Sequence, residues 1–124
     1  MNTKDIEKEL LRFWQIKSVT ELDGSPKIRK ANMYKEWTSE NYYVSNLHPK
    51  YYVDHKGYNL RWISFALQGD TLYESDGYTS LVTKIEPIDD GFKVYTKNSI
   101  YTFISTNITF ETLINKLETH SYQA

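Results

Sequence analysis

Apolar side chains recur near the start of the chain at Ile6, Leu10, Phe13 and Trp14, spaced i, i+4, i+7 and i+8, with Lys17 one turn further on. That spacing gathers them on one stripe of an α-helix and predicts a helix over residues 4–17. Thr3 supplies an N-cap, and Asp5, Glu7 and Glu9 occupy the first turns, where carboxylates suit the positive end of the helix dipole. Lys4, Lys8, Arg12 and Gln15 make its solvated face.

From residue 60 the period changes to two. Residues 60–67 form an apolar run rich in aromatic and β-branched side chains, residues 71–73 read as a short partner, and Ser75-Asp76-Gly77 reads as a turn. Alternation over residues 81–85, an Asp89-Asp90-Gly91 hairpin signal, a return over 92–96, a turn at Asn98-Ser99 and a last strand over 100–104 complete a meander. Ile100 and Ile104 lie on one face of that last strand and Tyr101 and Phe103 on the other, so it must be covered on both sides. A second amphipathic helix begins after Asn107, with Thr109 as cap and Phe110, Leu113, Ile114 and Leu117 as its apolar stripe.

The stretch between is less regular. Asp23-Gly24-Ser25-Pro26 is a turn within one domain. Residues 27–37 suit either a short helix with Met33 and Trp37 inward or an extended arm, and short strands fit Tyr42-Tyr43-Val44 and Tyr51-Tyr52-Val53. The expected fold is therefore α+β: a single domain over 1–124, with a strongly curved antiparallel sheet, its meander in residues 60–105, flanked by an N-terminal and a C-terminal helix.

Composition narrows the chemistry. The 124 residues suffice for one core, and the absence of cysteine removes disulfides, thiolate metal sites and cysteine nucleophiles. The charged start lacks an apolar leader and no later run is long enough to cross a bilayer as a helix, so the expected location is the cytoplasm. His48, His55 and His120 fall in no metal-ligand or relay spacing, Asp54 and His55 would point to opposite faces of an extended chain, and Asp70, Glu74, Asp76, Asp89 and Asp90 are explained by turns. No glycine pattern cradles a phosphate. The expectation is a non-enzymatic protein with neither metal nor cofactor.

The net charge of −1 hides a partition. Residues 27–61 hold seven basic against three acidic side chains, a balance of +4, so the remainder carries −5. Most of the chain's eleven tyrosines crowd the same segment, at 34, 42, 43, 51, 52 and 58, joined by Trp37. Cations interleaved with aromatic rings suit a protein-binding surface, whose hot spots favour Tyr, Trp and Arg, and also a single-stranded nucleic-acid surface, where rings stack on bases. The expected contact residues are Arg29, Lys30, Tyr34, Trp37, Tyr43, Tyr52 and Arg61. The expected partner is a larger protein, with a nucleic-acid-processing complex as one form of it and direct nucleic-acid binding as the alternative. In size, lack of cysteine and richness in Lys, Tyr, Asn and Ile, the chain resembles accessory proteins of phages and mobile elements. That resemblance, one of composition only, implies an inhibitor of a host nuclease or defence system, of the anti-CRISPR or anti-restriction type.

Overall fold

In the computed structural model, residues 13–28, 31–45, 59–68, 71–106 and 108 are described. They form six strands and one short helix: β1 (Trp14–Thr20), α1 (Ala31–Trp37), β2 (Tyr42–Ser45), β3 (Asn59–Gln68), β4 (Thr71–Ile88), β5 (Gly91–Thr96) and β6 (Ile100–Ser105). Every neighbouring pair is antiparallel, and β6 returns to β1, closing a barrel in the order β1-β2-β3-β4-β5-β6.

Six strands enclose a lumen narrow enough for side chains alone to fill. Trp14, Ile16 and Val19 of β1, Tyr42 and Val44 of β2, Leu60 and Trp62 of β3, Val82 of β4, Phe92 and Val94 of β5, and Tyr101 and Phe103 of β6 form that core. Its centre is a continuous run of rings. Trp14 meets Phe92 edge-on at 5.0 Å, Phe92 stacks on Phe103 at 5.3 Å, and Trp62 meets both Phe103 (5.8 Å) and Tyr101 (6.1 Å) edge-on. These are the separations at which aromatic quadrupoles attract.

The alternate residues on one flank build a second core outside the barrel. Phe13, Tyr43, Phe65 and Leu67 are buried there, with Ile63, Leu72 and Ile108 packed against them. The backbone ties this flank together, Phe13 N donating to the Ile108 carbonyl and Thr106 N to the Phe13 carbonyl.

The architecture corrects the expected α+β fold. Residues 14–17, assigned from the sequence to an N-terminal helix, are the start of β1 and Phe13 just before them is in no helix, while residues 4–12 of that helix and the expected C-terminal helix lie outside the described residues. A bulge explains the misreading. The register of β1 against β6 slips between Ile16 and Ser18, so Trp14, Ile16 and Val19 all face the lumen and simple alternation is lost. Phe13 and Trp14, adjacent on the supposed helical stripe, face different cores.

A second correction concerns β4. The expected turn at residues 75–77 is absent, and one strand of 18 residues runs through it. Its first half pairs with β3 and its second with β5, and register shifts near Asn59/Arg61 and Val82/Lys84 bend it from one neighbour to the other. Gly77 sits in mid-strand because a Cβ there would lie 2.2 Å from the Trp62 indole nitrogen. The two-residue turn at Asp89 and Asp90 lies between β4 and β5 as expected, and Gly91 admits the carbonyl of Phe103, which a Cβ would approach to 1.9 Å.

The ring column sets the stability of the barrel. Phe103→Ala should lower the unfolding free energy by about 3–5 kcal/mol, whereas Leu81→Ala, on the exposed side of β4, should change it by no more than about 0.5 kcal/mol. Chemical denaturation of the two variants checks this.

Candidate functional cleft between α1 and β4

The seven residues of α1 contain neither glycine nor proline, and Tyr34 and Trp37, one turn apart, share a face. So short a helix does not hold in water without packing. Those two rings provide it: they meet edge-on at 5.3 Å and rest against the barrel core. The helix ends in a run of local bonds, Thr38 N and Oγ1 donating to the Tyr34 carbonyl, and Gln15 Nε2 of β1 donates to the Glu40 carbonyl just beyond.

Opposite α1 stands the middle of β4, and between them lies a cleft of about 550 Å³. Met33, Tyr34 and Trp37 form one wall, residues 76–80 form the other, and Tyr101 lies at the base. Tyr78 is 69% exposed and Met33 37%, so the cleft presents an aromatic and a thioether side chain to solvent. Two hydrogen bonds shape the β4 wall. Asn59 Nδ2 donates to the Thr79 carbonyl, and Thr79 Oγ1 accepts from Leu60 N at 3.1 Å, fixing the bulge that turns residues 79 and 80. The Trp62 indole N–H is buried beside Gly77 and has no hydrogen-bond partner among the described residues.

On the other side of Tyr34 a second cleft, of about 600 Å³, shares Tyr34, Ser80 and Tyr101 with the first. Its cation is Lys27, which is only 12% exposed, pairs with Glu21 at 3.2 Å and donates to the Asn98 carbonyl at 3.0 Å. Lys27 thus ties the connection between β1 and α1 to the turn between β5 and β6.

The expected contact residues separate. Tyr34 and Trp37 are brought together in the first cleft. Arg61 is exposed on β3 and pairs in register with Tyr78, which places it beside the same cleft. Tyr43 is 1% exposed and belongs to the outer core. Tyr42 and Tyr43 point to opposite faces as a strand requires, yet both are buried because both faces are covered. Arg29, Lys30 and Tyr52, and all three histidines, lie outside the described residues. Met33, inward in the helical alternative for residues 27–37, is 37% exposed, and Asp76, expected only as a turn residue, lines the cleft together with Tyr78 and Tyr101, none of them among the expected contacts. The local pattern around residues 76–78 is that of a turn, and their place in the cleft follows from a strand continuing through them, which only the fold shows.

The chemistry available in the cleft is recognition by apolar contact and hydrogen bonding. Burial, with the neighbouring Tyr34 phenol adding to it, pushes the Tyr101 phenol up to about 12, so at physiological pH it is a neutral hydroxyl that can serve a ligand as a hydrogen-bond donor or acceptor. Among the described residues no group of three His, Cys, Asp or Glu side chains could hold a metal ion, and no helix is long and apolar enough to cross a membrane. Comparison with family models, with curated proteins and with solved structures finds no match, so the reading of the cleft rests on its own geometry.

The raised Tyr101 value carries a pH signature. A phenol that holds its proton more tightly in the folded chain contributes stability that is complete below the ordinary value of 10.0 and is lost as pH rises through about 12. Tyr101→Phe should remove a late step from the ultraviolet phenolate titration. It should also flatten the loss of stability across that interval relative to the unmodified chain.

Proposed function

We propose that this chain is a non-enzymatic binding module that takes a segment of a larger protein into the cleft between α1 and β4. The observation that carries the reading is the exposure of Tyr78 and Met33 on opposite walls of a cleft whose base, Tyr101, belongs to the rigid barrel core. Large apolar side chains left exposed together around a concavity mark contact surfaces, and a base fixed by packing lowers the entropy lost on binding.

The balance of charge favours protein over nucleic acid as the ligand. Around the two clefts Lys27 is neutralised by Glu21, while Asp76 has no ion pair among the described residues. Among the described residues lining the cleft, a phosphate backbone would meet the Asp76 carboxylate and no unpaired ammonium group. The surface proposed is thus aromatic and acidic, with Arg61 as its described basic neighbour. A module of this kind acts by occupying a partner's surface, the mode by which an inhibitor of a host nuclease or defence complex would work; that wider role rests on size and composition.

Selection of a displayed library of random peptides against the full chain tests the proposal. The recovered peptides should lose roughly tenfold or more in affinity, about 1.4 kcal/mol, on Met33→Glu and on Tyr78→Ala, both exposed positions whose replacement leaves the core intact. Peptides that bind both variants as they bind the unmodified chain would place the contact surface elsewhere.

A further inference from the structure

The β4 wall of the cleft has an unusual property: it is a sheet edge inside a closed barrel. Pairing between β4 and β5 begins only at Val82, and on that side the Leu81 carbonyl accepts from Lys97 N and Ser80 Oγ meets Asn98 Nδ2 at 2.8 Å. Before that point residues 72–78 pair with β3 alone. Among the described residues nothing hydrogen-bonds to their other side, and residues 73–76 and Tyr78 are exposed. An open strand edge is a template for another strand, which proteins either blunt or use.

The side chains along this edge indicate what it accepts. Register against β3 sorts them by face. Gly77 lies opposite Trp62 and Ser75 opposite Ser64, on the lumen side, whereas Glu74 lies opposite Phe65 and Asp76 opposite Ile63, on the outer side. The outer side of the edge is therefore acidic at alternate positions, and neither carboxylate has an ion pair among the described residues. A second copy of the chain pairing antiparallel about Ser75 would set Glu74 against Asp76, a like-charge contact that opposes edge-to-edge dimerisation. A strand with cations at alternate positions gains where a second copy loses.

We infer that the occupant of the cleft is an extended segment of a partner protein that adds to the open edge of β4, presenting Lys or Arg at alternate positions to Glu74 and Asp76. Its intervening apolar side chains turn towards α1, against Met33 and Trp37. The backbone ladder supplies affinity, the two carboxylates select a basic segment, and the aromatic wall fixes register. The inference rests on the cleft being the contact surface and adds the mode and the charge of the ligand.

The test uses the full chain and three short capped peptides: one alternating lysine with valine, one alternating glutamate with valine, and the lysine peptide N-methylated at alternate amides. The change in tryptophan emission serves as one readout and calorimetry as the other. The lysine peptide should bind, the glutamate peptide should not, and N-methylation should abolish binding by removing the donors a ladder needs while leaving charge unchanged. Glu74→Lys combined with Asp76→Lys should weaken the lysine peptide roughly tenfold or more and admit the glutamate peptide. Equal binding of the N-methylated and unmodified peptides overturns strand addition, and if that binding is still lost on Met33→Glu the cleft stands as the contact surface. Binding indifferent to both Met33→Glu and the double reversal overturns both readings. A single-stranded oligonucleotide that binds the unmodified chain more tightly than the lysine peptide, or concentration-dependent dimerisation of the unmodified chain abolished by the double reversal, assigns the edge to another occupant and overturns the inference.

Discussion

Closure of a six-stranded sheet imposes one demand on the sequence: the lumen must be filled by side chains, without gaps, along its whole length. Here the demand is met by rings. Trp14, Phe92, Phe103, Trp62 and Tyr101 form an unbroken series of edge-on and stacked contacts. The requirement of fit extends to the backbone around them. Gly77 lacks a side chain because the Trp62 indole occupies the place a Cβ would take, and Gly91 lacks one because the Phe103 carbonyl does.

The same demand explains what could be read from the sequence. β3, β5 and β6 lie where the apolar alternation places them, and the turns at 23–26 and 89–90 form as Gly, Asp and Pro require; Asp23 accepts from Ser25 N and Oγ, and Gly24 adopts a positive φ of 88°. What failed was every point at which closure bends a strand. A bulge at Lys17 turned the alternation of β1 into an apparent helical stripe. Gly77, chemically a turn residue, sits in mid-strand for a reason held by Trp62, fifteen positions earlier in the chain. Single-strand patterns carry no record of such long-range contacts.

The candidate site was legible in part for a related reason. Tyr34 and Trp37 were expected as contacts because they are aromatic residues within a basic segment, and the count of cations in residues 27–61 holds as a count. Its meaning changed on folding. Lys27 is held by Glu21 and the Asn98 carbonyl, Tyr43 is consumed by the outer core, and the carboxylate that borders Tyr34 and Trp37 comes from β4, beyond the segment that defined the basic balance. Charge along a chain predicts charge on a surface only where neighbours in sequence are neighbours in space.

The cleft itself follows from a mismatch of lengths. β4 has 18 residues, whereas β5 and β6 have six each, so the barrel can close on only part of β4 and the excess stands beyond its neighbour. α1, with seven residues, is long enough to set two rings on the end of the core and too short to cover that edge. Extending β5 would pair the edge and abolish the cleft, while removing α1 would expose Tyr101 and the core beneath it. An open edge is ordinarily a hazard because it pairs with any strand, including a second copy of itself. Two carboxylates on alternate residues convert that indifference into a preference, and the ring column beneath Tyr101 holds the edge and the helix in a fixed relation before any ligand arrives. In the proposed mode, recognition draws on the packing that closes the barrel: the core that fills the lumen also positions the wall against which a partner strand would lie.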